Sequence, residues 1–276
     1  MPTSTLDPND YDDFRAFLEK SCGLVLGENK HYLVTSRLSR LMDEFGASSV
    51  GELLRLRKHG GRSDLRDRVI EAMTTKETYW FRDVFPFEIL KQRILPELVK
   101  RNADPVKVWS AACSSGQEAY SVSMVVSEFQ QLRPGTLRNV QIVGTDISAP
   151  IVKDARNARY DELSVARGLS AERRDRFFRR DADSWVVRPE VASRASFREF
   201  NLLDGYGALG RFDVIFCRNV LIYFSPENKR DILARMAHAL NPGGYLFLGA
   251  SESMANYSTA FEMVRCDPGV VYRKRS

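Results

Sequence analysis

Residues 106–120, VKVWSAACSSGQEAY, constrain the fold more than any other stretch, because an apolar run passes through a turn of small residues straight into a helical pattern. Val106, Val108 and Trp109 read as a buried strand, and Ser110 to Gly116 offers seven residues with no large side chain, so a ligand can approach the backbone closely. Glu118 falls just inside the helix that follows. In a doubly wound α/β sheet the ligand lies at the carboxyl ends of the strands, with the first strand-to-helix turn as the pocket floor.

The texture downstream agrees with that architecture. Strands are predicted at Val106–Ser110, Val140–Thr145, Ser196–Phe200, Phe212–Cys217 and Tyr245–Ala250, alternating with helices at Gln117–Gln131, Ala149–Ala158 and Pro226–Leu240. The last helix has Ser225 as N-cap and Pro226 at its first position, and stops before Asn241-Pro242-Gly243-Gly244. Phe261–Val264 and Val270–Arg273 read as a final hairpin that adds an antiparallel edge. Tyr160 to Ala195 is too long and too polar for a simple connection and reads as an inserted subdomain, with a short helix in Leu169–Phe178 and a short strand at Trp185–Arg188.

Before residue 76 the pattern is helical throughout. Phe14, Phe17, Leu18 and Cys22 share a face, with Gly23 as a stop; Val34, Leu38, Leu41, Met42 and Phe45 share another, with Gly46 after it. Ser49 and Glu52 form a capping box ahead of Leu53, Leu54 and Leu56, closed by Gly60-Gly61, and a fourth helix starts near Ser63 with Leu65, Val69, Ile70 and Met73. The division is therefore a helical domain at 1–75, a linker and connecting helix at 76–105, and an α/β domain at 106–276 with an insertion at about 160–195.

Several function classes drop out on composition. There is no apolar run of membrane-span length, and the acidic N-terminus MPTSTLDPNDYDDF lacks a signal-peptide pattern, so a cytoplasmic protein without membrane insertion is expected. Cys22, Cys113, Cys217 and Cys266 are widely spaced, which indicates buried free thiols and neither a disulfide framework nor a metal site. A net charge of +5 favours acidic partners without pointing to nucleic acid. His31, His59 and His238 lie in no motif, which argues against histidine-based catalysis.

Strand, turn and acidic residue are shared with dinucleotide-binding folds, yet Ser110–Gly116 holds one glycine and lacks G-x-G-x-x-G. A ligand with a ribose and no phosphate suits this turn better. Asp146, at the end of IVGTDIS, can accept both ribose hydroxyls, and Glu118 favours a positively charged ligand end. S-adenosylmethionine meets that description.

The motifs TTKETYWFR at 74–82, WSAACSSGQEAYS at 109–121, TDIS at 145–148, FNLLD at 200–204, CRNVLIYF at 217–224 and NPGGYLFLGASES at 241–253 resemble, in order, those of the CheR family of bacterial chemotaxis methyltransferases. The resemblance covers nearly the whole chain. It implies a Rossmann-like S-adenosylmethionine-dependent methyltransferase sheet with an N-terminal all-helical domain and a small antiparallel β insertion. It also implies cofactor contacts at Lys76, Thr78, Arg82, Glu118, Asp146, Asn201, Leu202, Arg218 and Asn219, where the family commonly has Asn in place of Lys76. Arg82 and Tyr223 become the candidates for catalysis.

The implied reaction converts glutamates on the cytoplasmic domains of methyl-accepting chemotaxis receptors to methyl esters, releasing S-adenosylhomocysteine. A glutamate of pKa about 4.3 is already ionised near neutral pH, so no general base is needed. Lys30, Arg37 and Arg40 flank the apolar face of the second helix and are candidates for meeting an acidic receptor region. A monomer is expected. Other readings remain open from the residues alone: a methyltransferase with another acceptor, or a non-catalytic cofactor-binding regulator. Likewise Thr74–Thr78 fits a helix end, Arg82-Asp83 a surface pair, Asn219 a turn cap and Tyr223 a core position.

Overall fold

Helix start and stop signals account for the N-terminal region. In the computed structural model, which describes residues 6–59 and 63–275, the first compact unit comprises residues up to Thr75 together with Tyr223–Lys229. Its helices are α1 (Pro8–Cys22), α2 (His31–Phe45), α3 (Val50–His59) and α4 (Ser63–Met73). The α1 stop works as read: Gly23 is left-handed at φ 78° and its N–H returns to the Glu19 carbonyl. Gly46 ends α2 in the same way at φ 64°. The capping box is only half as read. Ser49 Oγ accepts the Glu52 amide at 3.1 Å, but the Glu52 carboxylate reaches back to Ser48, taking its amide at 2.7 Å and its hydroxyl at 2.6 Å. The Gly60-Gly61 stop lies outside the described residues.

The second unit spans Lys76–Ile222 and Arg230–Ser276. It opens with α5 (Phe85–Ile89), a π-turn (Leu90–Ile94) and α6 (Leu95–Lys100). Pro96 explains the wide turn: it lacks an N–H and its ring crowds the preceding turn, so the Leu95 amide bonds back to the Leu90 carbonyl.

The main sheet then builds from β1 (Val106–Ala111), α7 (Gln117–Leu132), β2 (Val140–Asp146) and α8 (Ala149–Asn157). The insertion holds β3 (Arg159–Tyr160), α9 (Glu162–Ala166), α10 (Ala171–Phe177), β4 (Phe178–Asp181), β5 (Ser184–Val187) and α11 (Pro189–Ala192). Its three strands form a separate antiparallel sheet in the order β3-β5-β4. The main sheet resumes with β6 (Ala195–Glu199), β7 (Phe212–Cys217), α12 (Pro226–Ala239), β8 (Leu240–Leu248), β9 (Phe261–Cys266) and β10 (Gly269–Lys274). The spatial order is β6-β2-β1-β7-β8-β10-β9; β10 runs antiparallel to both its neighbours, and the other pairs are parallel. The fold class is as expected, and the order reverses between β1 and β7, where a doubly wound sheet opens its binding crevice.

One local reading needs correction. Asn241-Pro242-Gly243-Gly244 is not a loop between helix and strand but part of β8, which bulges between Leu240, opposite Phe212, and Tyr245, opposite Val214. The reason is Asp213. Its carboxylate accepts Asn241 Nδ2 at 2.8 Å and the Lys107 amide at 2.9 Å, so a side chain takes over ladder bonding at the strand start.

Aromatic packing fixes the sheet near the crevice. Trp109 on β1 is fully buried, stacks on Phe212, meets Tyr206 edge-on, and donates Nε1 to Thr145 Oγ1 at 2.9 Å. On the opposite face of β2, Gly144 leaves room for Phe197: a β-carbon at 144 would stand 2.5 Å from the ring and 3.1 Å from Cys113 Sγ. Gly144→Ala is therefore expected to cost roughly 1–3 kcal/mol of stability through overpacking, read as a lower midpoint with unchanged slope in urea unfolding.

Candidate active site

The turn after β1 is shaped by backbone strain. Ala112, Ser114 and Gly116 all have left-handed φ, at 54°, 50° and 95°. Gly116 is required for packing as well as conformation, because a β-carbon there would come within 3.1 Å of Ala155 and 3.2 Å of Phe197. The turn is held from the neighbouring strand, where the Thr145 carbonyl accepts the Cys113 amide at 2.8 Å.

Asp146 sits at the end of β2. One carboxylate oxygen accepts the Ser114 amide at 2.9 Å and the other the Ser148 amide at 3.1 Å, while its own carbonyl takes the Phe200 amide at 2.8 Å. The ends of β1, β2 and β6 are thus tied through one residue. Burial pushes the Asp146 carboxyl above the ordinary value, against the pull of the Ser148 and Ser114 amides and the charge of Lys76. The Lys76 carbonyl in turn accepts Ser114 Oγ at 3.1 Å. Asn201 folds into a local turn after β6, its Oδ1 taking the Leu203 amide at 3.0 Å, with Leu202 buried beside it.

On the other side of the switch point Arg218 follows β7. Its side chain is 2% exposed; Nη1 donates to Glu118 at 3.0 Å, and Nη2 donates to Asp83 at 2.7 Å and to the Arg82 carbonyl at 2.6 Å. Glu118 also accepts Ser110 Oγ at 2.7 Å. Two sequence readings change here. Glu118 already has a partner in Arg218, and Asp83 pairs with Arg218 instead of forming a surface pair with Arg82.

Arg82 is half-buried, donates Nη1 to the Glu77 carbonyl at 3.2 Å and lies 5.4 Å from the centre of the Tyr79 ring. Its backbone is locked amid strain, since Phe81, Asp83 and Val84 all have positive φ, a cost on the order of 1–3 kcal/mol each. The surroundings enforce it: Trp80 bonds the insertion at the Arg167 and Ser164 carbonyls, and the Phe81 amide bonds Ser121 Oγ at 3.2 Å. Thr78 is half-buried in the same segment.

Asn219 is left-handed at φ 58°, and its Oδ1 is buried with no hydrogen-bond partner. Glu252 holds its amide at 2.7 Å. Tyr223 belongs to the first unit, where its carbonyl accepts the Val25 amide at 2.8 Å. The structure thus gathers Lys76, Glu118, Asp146, Asn201, Leu202, Arg218 and Asn219 at the strand ends of the second unit, with the Arg82 backbone joined to them through Arg218. Sequence reasoning missed Ser110, Asp83 and Glu252 as site residues. Ser110 lay in the turn already singled out, Asp83 stood next to Arg82, and nothing in the spacing of Glu252 marked it.

A doubly wound sheet whose switch-point crevice is walled by carboxylates, without a glycine-rich phosphate loop, defines a nucleoside-binding α/β protein. This chain belongs to the CheR methyltransferase family: the family's SAM-binding domain matches residues 76–270 and its all-alpha domain residues 9–74. It is 54% identical over 269 residues to chemotaxis protein methyltransferase 1 of Pseudomonas aeruginosa, covering 96% of this chain and 98% of that one. It is 50% identical to chemotaxis protein methyltransferase Cher2 of Pseudomonas putida over the whole of both chains. To the chemotaxis protein methyltransferase of Vibrio parahaemolyticus it is 51% identical, over 99% of each. The protein is an S-adenosylmethionine-dependent methyltransferase. The residues present fit that cofactor: Asn219 offers a buried acceptor without a partner, and the carboxylates of Asp146 at the end of β2 and Glu118 in the first turn of α7 suit a cationic ligand with hydroxyl donors.

The raised pKa of Asp146 makes its contribution to stability depend on pH. A carboxyl whose folded pKa exceeds its unfolded value favours folding below the unfolded pKa, and that contribution is lost as pH rises through the folded value. Asp146→Asn keeps one acceptor oxygen and turns an NH2 toward the Ser114 or Ser148 amide, so the thermal midpoint at pH 7 is expected to fall, while calorimetry with S-adenosylhomocysteine shows affinity falling by roughly ten-fold or more, the loss of charge-assisted bonds worth about 1.5 kcal/mol each. A lower midpoint together with wild-type affinity would remove Asp146 from the site.

Proposed function

We propose that this protein transfers the methyl group of S-adenosylmethionine to glutamate side chains on the cytoplasmic domains of bacterial chemoreceptors, leaving glutamate methyl esters and S-adenosylhomocysteine. The observation that carries this reading is the relation, at about half identity over essentially the whole chain, to proteins named chemotaxis protein methyltransferase. We assign the ribose hydroxyls to Asp146, the cationic methionine end to Glu118 and Asn219, and the remaining cofactor walls to Lys76, Thr78, Asn201, Leu202, Arg82 and Arg218.

When bound, the cofactor supplies a sulfonium-activated methyl group. The chain's task is then alignment and exclusion of water, since an ionised glutamate needs no base. An orienting role for Arg82 is supported by its backbone, whose carbonyl the buried Arg218 binds, and by its planar fork, which matches a carboxylate. Tyr223 stands as a second catalytic candidate on the family resemblance alone. Receptor docking falls on Lys30, at the N-cap of α2, and Arg40 within α2, both exposed; Arg37 is engaged within its own unit, donating to the Met73 carbonyl at 2.5 Å and to Thr75 Oγ1 at 3.4 Å. The protein is proposed to work as a monomer in the cytoplasm; no helix among the described residues is long and apolar enough to cross a membrane.

The test incubates the full chain with methyl-labelled cofactor and receptor cytoplasmic fragments. Label that is released by mild base marks a methyl ester, as proposed; base-stable label would indicate another acceptor group, and cofactor binding without label would indicate a regulator. In the same assay Arg82→Ala is expected to lower transfer by roughly 100-fold, the scale of a misplaced reacting group, while S-adenosylhomocysteine affinity changes far less. Equal losses in both would contradict the orienting role of Arg82.

A further inference from the structure

Cys217 and Leu248 are paired neighbours at the ends of β7 and β8, and the two loops that follow them are joined by a single carboxylate. Glu252 Oε2 accepts the Asn219 amide and the Gly249 amide, each at 2.7 Å, and Oε1 accepts the Ile222 amide at 3.2 Å. The Glu252 amide closes its own loop on the Gly249 carbonyl at 2.9 Å. Gly249 leaves room for this crossing, because a β-carbon there would stand 2.7 Å from Asn219 Nδ2 and 2.8 Å from Glu252 Oε2 and push both side chains aside. The residue so held, Asn219, has a left-handed backbone and a buried Oδ1 with no hydrogen-bond partner.

These facts form one device. Asparagine accepts a left-handed backbone more readily than other residues with a side chain, but an unpaired buried acceptor keeps its orientation only if the backbone beneath it cannot relax. Glu252 supplies that restraint from the neighbouring loop, with both of its oxygens already engaged by backbone amides. We infer that Glu252 is a positioning residue for the cofactor: it touches none of the reacting groups and acts by holding Asn219 in its binding conformation. The inference rests on the proposed assignment of Asn219 to the cofactor.

The experiment is a double-mutant cycle on the full-length protein, read by calorimetry with S-adenosylhomocysteine and by methyl-transfer kinetics. Asn219→Ala is expected to weaken binding by about ten-fold, Glu252→Ala by a similar factor, and the double variant by little more than Asn219→Ala alone, the non-additivity of groups that act as a unit. Glu252→Gln retains an oxygen for the Asn219 and Gly249 amides and turns an NH2 toward Ile222, so it is expected to lose only about three- to five-fold, a loss that vanishes in the Asn219→Ala background. In kinetics the KM for S-adenosylmethionine rises while kcat at saturation holds. Additive losses, a Glu252→Gln loss that persists without Asn219, wild-type affinity in Glu252→Gln, or a fall in kcat at constant KM each overturn the inference. Should Glu252→Ala fail to fold, the Glu252→Gln arm decides alone. Wild-type affinity in Asn219→Ala would overturn the cofactor assignment of Asn219 and this inference with it, whereas weakened binding there with additive Glu252 effects overturns the inference only.

Discussion

Arg218 carries a buried positive charge that costs several kcal/mol to take out of water, and the architecture around the crevice answers that cost. Glu118 at the start of α7 takes one arm of the guanidinium, and Asp83 with the Arg82 carbonyl takes the other. Two pieces of chain far from it in sequence are thereby fixed to the end of β7. The strained segment from Phe81 to Val84 is tolerable only because such contacts over-determine it. Two carboxylates face one guanidinium, so the cluster retains a negative charge, which complements a cationic sulfonium ligand.

The sheet makes this arrangement possible. Reversal of strand order between β1 and β7 splays the following helices and leaves their strand ends open, and each end delivers one kind of group. The end of β1 delivers a small-residue turn, β2 a carboxylate held by amides, β6 a local asparagine turn, and β7 the arginine and a left-handed asparagine. Interactions behind these ends, such as Trp109 with Thr145 and Asp213 with Asn241, keep the strands in register. The insertion contributes too, since it grips Trp80, two residues ahead of Arg82.

Much of this was legible in the chain. Periodicity and capping marked all four N-terminal helices, and the alternation from Val106 onward marked a parallel sheet, because both signals are local and follow from side-chain geometry. The position of Asp146 at the end of β2 was legible for the same reason, since it closes the apolar run of that strand. The pairing of Arg218 with Asp83 was not, as 135 residues separate them and only the folded sheet brings them together. The bulge at Asn241–Gly244 escaped notice because proline and glycines ordinarily signal a loop, and the side chain that recruits them into β8 lies on another strand. Glu252 was invisible because its partners are backbone amides, which every residue type possesses.

On this reading Arg218 preorganises the cofactor pocket through its bonds to the Arg82–Asp83 segment. The most direct test is the coupling between Asp83→Asn and Arg218→Met in the binding free energy of S-adenosylhomocysteine, with Asp83 chosen because it has no proposed contact to the cofactor. A coupling of roughly 1–3 kcal/mol is predicted, as for residues in one buried network. Additive effects, or an Asp83→Asn variant that binds as tightly as the parent, would contradict the account.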